Sequence, residues 1–189
     1  MSAAGAATVR VLAVDGSPTG GGRTRAALDA VSSAAAVGGA SVETVALAGE
    51  DAAADHAIAA LGRVDAVVLA SPVYRASHAT PLKQLLDAVP RSGMAPPDSP
   101  LSGKAVAIVY TGASLHHFLA LDPLRSLLAG FFAAHVVPPG LFVPREGFDG
   151  DGALVEPYAD QARLQGAALV ELAKALRESS LLRSLRPQA

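Results

Sequence analysis

Three valine- and alanine-rich runs limit what this chain can fold into: TVRVLAVD at 8–15, VDAVVLAS at 64–71 and KAVAIVYT at 104–111. Each is nearly continuous in its apolar character. Such runs suit strands covered on both faces, as in a parallel sheet layered between helices. SVETVAL at 41–47 alternates more and reads as an edge strand. HVVPPGLFV at 135–143 is a fifth candidate. Its two prolines cannot donate to a ladder, so it belongs at an edge or ends early. Residues 24–37, 51–62, 79–89, 122–134 and 158–185 have helical composition and length. In the last, Leu164, Ala168, Leu172 and Leu176 fall on one stripe, with Glu171, Lys174 and Arg177 off it. Strand and helix alternate throughout. That predicts an α/β fold: a doubly wound five-stranded parallel sheet of order 2-1-3-4-5, helices on both faces and right-handed crossovers.

The 189 residues suit one domain. We expect a flexible N-terminus over 1–7, a single domain over 8–185 and a short tail over 186–189. RSGMAPPDSP at 91–100 reads as a loop within that domain. A net charge of −2 gives no footprint for nucleic acid. With no cysteine there is no disulfide framework, thiolate metal site or cysteine nucleophile. No apolar run reaches the roughly 18 residues of a membrane helix. The start, MSAAGAATVR, does not read as a signal peptide. These features fit a cytoplasmic protein.

In open parallel sheets, ligands bind beyond the carboxyl ends of the strands near the switch in strand order. The loops there are GSPTGGGRTR at 16–25, PVYRASHATP at 72–81 and TGASLHH at 111–117. The first holds four glycines, a proline, three hydroxyl residues and two arginines, and it leads into a helix. Free amide N–H groups and the positive end of the helix dipole point at whatever sits there. Ser17 and Thr24 add hydroxyls, and Arg23 and Arg25 add charge. A monophosphate suits that set. The loop has neither the Gly-Lys-[Ser/Thr] ending of a nucleotide-triphosphate loop nor the dinucleotide fingerprint.

SPVYRAS followed by PLKQLLD resembles the signature of the NADPH-dependent FMN reductase family, whose members are flavodoxin-like. TGASLHHFLALD at 111–122 is similar to the branch that supplies reduced flavin to alkanesulfonate-type monooxygenases. The resemblance spans about residues 9 to 150. It implies FMN as cofactor and NADPH or NADH as hydride donor. It places the FMN phosphate on Ser17, Arg23 and Thr24. A serine common in that loop is Gly22 here, and Arg25 is expected to compensate. Pro72, Val73, Tyr74, Arg75, Ala76 and Ser77 would flank one side of the isoalloxazine, and Thr111, Gly112, Ala113 and Ser114 the other. A flat ring wants apolar walls and a few backbone donors, and Gly112 would let the backbone come close. Hydride transfer to the flavin needs no side-chain acid or base, so no catalytic residue is assigned. The resemblance further implies a homodimer or homotetramer and a flavin-dependent monooxygenase as partner. Some of these reductases carry an extra aromatic residue that forms a π-bulge in the fourth helix. LALDPLRSLL at 119–128 is one residue shorter there. Asp122 and Pro123 read as an N-cap and first helical position, so an unbulged helix is expected. The first reading is thus an NAD(P)H-dependent FMN reductase that supplies reduced flavin to that monooxygenase, and the shorter helix leaves open, as the alternative, an FMN-retaining reductase of quinones, azo dyes or nitroaromatics. A flavodoxin-type electron carrier is a third reading, disfavoured by the near-neutral charge.

Other residues carry blander readings. His116 and His117 are adjacent and point apart on a helix, so no metal site is assigned; His117 reads as packing near the flavin or a subunit contact. His56, His78 and His135 default to solvent or packing roles, with a lining role open for His78. Asp15 ends the first strand as in phospho-receiver domains, but the third strand lacks the phosphoacceptor carboxylate. Tyr74 lies just past a strand end and reads as a site wall.

Overall fold

In the computed structural model, which describes residues 7–49, 52–91 and 99–186, strands and helices alternate from the first element. The chain runs β1 (Val9–Asp15), α1 (Gly22–Val37), β2 (Ala40–Ala46), α2 (Ala53–Leu61), β3 (Ala66–Tyr74), β4 (Ser77–His78) and α3 (Thr80–Ala88). It continues through β5 (Ala105–Gly112), α4 (Leu121–Ser126), β6 (His135–Val136), β7 (Leu141–Pro144), α5 (Tyr158–Glu178) and α6 (Ser180–Ser184). Most of 1–7, the start of the helix read from 51, most of the 91–100 loop and residues 187–189 lie outside the described residues.

The sheet order is β2-β1-β3-β5-β6, with β7 also parallel against β5. Taking β6 and β7 as one interrupted strand gives the expected 2-1-3-4-5 order. Pro138 and Pro139 cause the interruption, since neither has an N–H to give. The short β4 folds back antiparallel on β3, a strand that the apolar pattern does not mark.

The buried strands alternate between two different layers. Val9, Val11, Ala13, Ala66, Val68, Ala70, Ala105, Ala107 and Val109 face α1 and α5. Leu12, Val14, Val67, Leu69, Val106, Ile108 and Tyr110 face α2, α3 and α4. The alanine-rich face brings α1 and α5 close to the sheet and to each other. At Gly166 an added Cβ would lie 2.3 Å from the Val31 carbonyl oxygen and 2.7 Å from Ala34 Cβ.

That crossing corrects the stripe read in the last helix. The buried face of α5 is Ala162, Gln165, Gly166, Leu169, Val170, Ala173 and Leu176. Leu164 is 68% exposed. Glycine and alanine carry the seam, and a search for leucines shifts the phase. The helix also ends earlier than 185: Ser179 turns extended, and its Oγ accepts the Leu182 N–H at 3.2 Å to cap α6.

The helix read at 122–134 is corrected as well. A 3-10 segment over Leu115–Ala120 runs directly into α4, with Asp122 in the first turn rather than at the cap. The last turn, Leu127–Phe131, is a π turn, with the Phe132 N–H reaching the Leu127 carbonyl at 3.2 Å. One extra residue rotates the rest of the segment by about 100°. Phe132 thereby enters the core, while Phe131 stays partly exposed, edge-on to Phe132 at 4.9 Å between ring centroids.

Gly166→Ala should cost about 3 kcal/mol, because backbone rather than a flexible side chain must move. Urea unfolding of the variant measures this; a loss below about 1 kcal/mol would mean that the helices separate freely.

Candidate active site

The first loop leaves β1 at a buried carboxylate. Asp15 Oδ1 accepts the Ser17 N–H at 2.9 Å, while Oδ2 is buried with no partner among the described residues. Gly16 donates to the Ala70 carbonyl at 2.8 Å. A Cβ there would meet that oxygen and Leu82 Cβ, each at 2.8 Å, so only glycine fits. Burial pushes the Asp15 carboxyl above its usual range, against the Ser17 N–H and Arg25, with Asp29 adding to the rise.

From Ser17 the chain turns through Gly20, Gly21 and Gly22, all at positive φ, into α1. No side chain caps α1, so its first amides are left for another acceptor. Nothing lies within 4 Å of a Cβ built at Gly21 or Gly22. Ser17 is buried, and its Oγ meets Thr19 Oγ1 at 3.2 Å. Arg23 is exposed and forms no ion pair among the described residues. Arg25, by contrast, lies against Asp29, its Nε 2.8 Å from Oδ1. This ion pair runs along α1 between residues one turn apart.

The second loop is a hairpin. β3 continues past Ser71 through Pro72, Val73 and Tyr74; Val73 then pairs with His78, and Tyr74 with Ser77. The two turn residues, Arg75 and Ala76, have φ of 52° and 65°. A two-residue turn of this hand normally uses Asn-Gly, so two side chains here hold a costly backbone. Ser71 Oγ anchors the return by accepting the Ala79 N–H at 2.8 Å. Tyr74 is 57% exposed at the tip, as a site wall would be.

Beneath the hairpin, Tyr110 Oη lies 3.0 Å from His78 Nδ1. Burial pushes the Tyr110 phenol well up, so it keeps its proton and donates. Burial, then Lys83, pushes His78 down against Asp87, so its Nδ1 is free to accept. His78 Nε2 is buried without a partner among the described residues.

The third loop begins inside β5. Thr111 Oγ1 meets Thr24 Oγ1 at 2.7 Å, and both residues are buried. This contact ties the first loop to the third. Gly112 is also constrained from within the fold: a Cβ there would lie 2.6 Å from Phe142 Cζ. Ser114 Oγ lies 3.4 Å from His116 Nδ1, and the Ser114 carbonyl accepts the His117 N–H at 3.3 Å. His117 is exposed.

The ladder sets the three loops side by side. Asp15 is in register with Ala70, and Pro72 with Thr111. Ser17, Arg23, Thr24, the Pro72–Ser77 hairpin and Thr111–Ser114 thus share one edge. Sequence reasoning gives no site role to Asp15 and Tyr110. Their signal is modest: each is the polar residue near the end of an apolar run. Among the described residues, no three His, Cys, Asp or Glu side chains are placed to hold a metal ion.

The chain is similar to known proteins in sequence and in fold. The profile of the family described as NADPH-dependent FMN reductase matches residues 9–149. The chain is 38% identical over 98 residues to the NADH-dependent FMN reductase SfnF of Pseudomonas putida, covering 52% of this chain and 48% of that one. It is 33% identical over 100 residues to FMN reductase (NADPH) of Pseudomonas aeruginosa, covering 53% and 50%. The chain thus spans about half the length of these relatives. Among solved structures, the apo form of an NADH:FMN oxidoreductase, EmoB, superposes with a TM-score of 0.73 at 22% identity, covering 94% and 95%. A WrbA-like flavodoxin of Agrobacterium tumefaciens gives 0.66 at 20%, covering 89% and 99%. At those identities the likeness is one of fold.

Asp15→Asn tests the buried carboxylate. The folded chain holds this proton more tightly than the unfolded chain, whose group titrates near 3.8. The group's stabilisation is therefore complete below that value and lost as pH rises through the folded pKa. The stability of D15N relative to the native chain should rise as the pH is raised above about 3.8 and through the folded group's higher pKa. Parallel pH curves would mean that the charge is compensated. Ala76→Gly should raise the unfolding free energy by about 0.5 kcal/mol, strain relief exceeding the added chain entropy; a loss in thermal unfolding would show the turn to be unstrained.

Proposed function

The chain belongs to the NADPH-dependent FMN reductase family, and on that basis we propose that it is an NAD(P)H-dependent FMN reductase supplying reduced flavin to a partner monooxygenase. The observation that carries the reading is the uncapped start of α1 beside buried Ser17 and unpaired Arg23, on the same edge as the β3 hairpin and the end of β5. That donor set fits a phosphate, and the two flanking segments fit a flat ring above it.

In this reading the α1 amides, Arg23 and Ser17 Oγ hold the FMN phosphate. Thr24, joined to Thr111, keeps the phosphate loop at a fixed distance from the end of β5. Pro72–Ser77 and Thr111–Ser114 flank the ring, with Tyr74 as a side wall. FMN held there would supply the hydride-accepting chemistry, with NADPH or NADH as the donor. The chain's own task is orientation: stacking the two rings and excluding water from between them.

The π turn at Leu127–Phe131 removes the reason for expecting a regular helix there, and with it the sequence argument for the alternative of a retained flavin. A homodimer or homotetramer is supported by the 3-10 segment beside the site. Its Leu115, Phe118 and Leu119 are 51%, 53% and 59% exposed, an apolar surface that a second copy would cover.

The test is the absorbance spectrum of the desalted protein, followed by NADPH and NADH oxidation with and without added FMN. Turnover only with added FMN is expected, and Ser17→Ala should raise the FMN requirement about tenfold by removing one hydrogen bond to a charged phosphate. A yellow protein whose turnover ignores added FMN would replace flavin release with a bound cofactor and another acceptor. FMN binding without nicotinamide oxidation would leave an electron carrier.

A further inference from the structure

The opposite end of the sheet holds a second cavity. It has a volume of about 350 Å³ and lies between the starts of β3 and β5 and the C-terminal helices. Its charged and polar lining is Asp65, Ser102, Lys104, Arg177, Arg183 and Arg186. Eight residues of β5 separate it from the flavin edge, about 25 Å at the usual rise per residue. It is therefore no part of the site described above.

Four cations share this cavity with one carboxylate, and that carboxylate is taken. Asp65 receives the Arg177 guanidinium, with Nε at 3.1 Å from Oδ1, and also the Arg10 N–H at 2.8 Å. Arg177 further donates to the Ala7 and Thr8 carbonyls, which ties α5 to the start of β1. Its charge is accounted for. Lys104, Arg183 and Arg186 are different: none has a carboxylate within ion-pair distance among the described residues.

Lys104 is the telling residue. It is only partly exposed, and its Nζ donates to the Val64 carbonyl, a neutral acceptor. Burial pushes its ammonium below the usual lysine range, with Asp65 acting against the fall and Arg10 with it. A half-buried cation whose neighbouring carboxylate, Asp65, is already paired with Arg177 is unfavourable unless further negative charge is supplied. Beside it, Ser102 Oγ is buried with no hydrogen-bond partner among the described residues. The roof is held in place. His135 Nε2 lies 3.1 Å from the Leu182 carbonyl, and Gly103, at a φ of 71°, turns the chain beneath Arg183, where a built Cβ would lie in ordinary contact at 3.7 Å from Arg183 Cα. α6 therefore sets Arg183 over a preformed space.

We propose that this cavity binds a small phosphorylated anion, with Lys104, Arg183, Arg186 and Ser102 Oγ as its donors. Guanidinium pairs and an ammonium suit phosphate oxygens in number and geometry. The volume falls within the range of small-ligand sites and exceeds what a bare phosphate fills. A pyrophosphate or a sugar phosphate suits it better. This inference stands apart from the flavin reading, since it shares no residue with that site.

Calorimetric titration of the full chain at saturating FMN, at constant ionic strength, provides the test. The probes are inorganic phosphate, pyrophosphate and ribose 5-phosphate. Saturable binding is expected, tightest for the last two, and about tenfold weaker in both Lys104→Met and Arg183→Ala. The order among the probes separates a free anion from the phosphoryl group of a larger molecule. Arg183 is exposed and holds no packing role, so R183A keeps the test open should K104M unfold. No saturable binding of any probe, or binding that R183A retains in full, would overturn the proposal. Retained binding would place the anion away from this cavity.

Discussion

The hydrogen-bond register of β1, β3 and β5 governs the molecule. Parallel pairing of Asp15 with Ala70 and of Pro72 with Thr111 brings three loops, far apart in sequence, out at one edge. A parallel ladder has no freedom to slip by one residue here. Such a slip would exchange the alanine-rich face for the leucine-rich one and drive large side chains into the α1–α5 layer. Gly166, pressed against the Val31 carbonyl, shows how little room that layer has. Packing in the core and the position of the loops are thus set by the same register.

The unfavourable terms gather at the edge where the loops emerge. Asp15 is buried with one oxygen unpartnered, Arg75 and Ala76 hold positive φ, and His78 Nε2 has no partner among the described residues. Sites that must meet a ligand carry strain and unsatisfied groups that the surrounding structure over-determines. Here the restraint is visible: Gly16 on Ala70, Ser71 on Ala79, Tyr110 on His78 and Thr24 on Thr111. Each bond fastens a loop to the sheet or to another loop. In the proposed reading, a site that orients two rings gains more from such fixing than from any acid or base.

The other end of the sheet obeys a different logic. There the cations outnumber the carboxylates, and a helix appended after α5 closes over them. The two ends share β3 and β5 but no side chain. A small doubly wound sheet can present one chemistry at each edge because its strands are rigid and its connections variable.

Much is legible from residue order alone. The near-continuous apolar runs mark three central strands, because only strands covered on both faces lack polar alternation. Pro138 and Pro139 place the fifth strand at the edge. The glycines and hydroxyls of 16–25 mark the loop that enters α1. Periodicity fails where small residues carry the contact: the seam of α5 runs through Gly166 and Ala173, not Leu164. It fails again in α4, where the π turn depends on which phenylalanine the core admits. Residue order was enough for the layers and for the loops at the carboxyl edge of the sheet, since apolar patterning and backbone chemistry are local. Packing in three dimensions was needed to join Thr24 to Thr111, to press Gly112 against Phe142 and to gather four cations around one carboxylate. Those facts depend on distances between residues that no local pattern encodes.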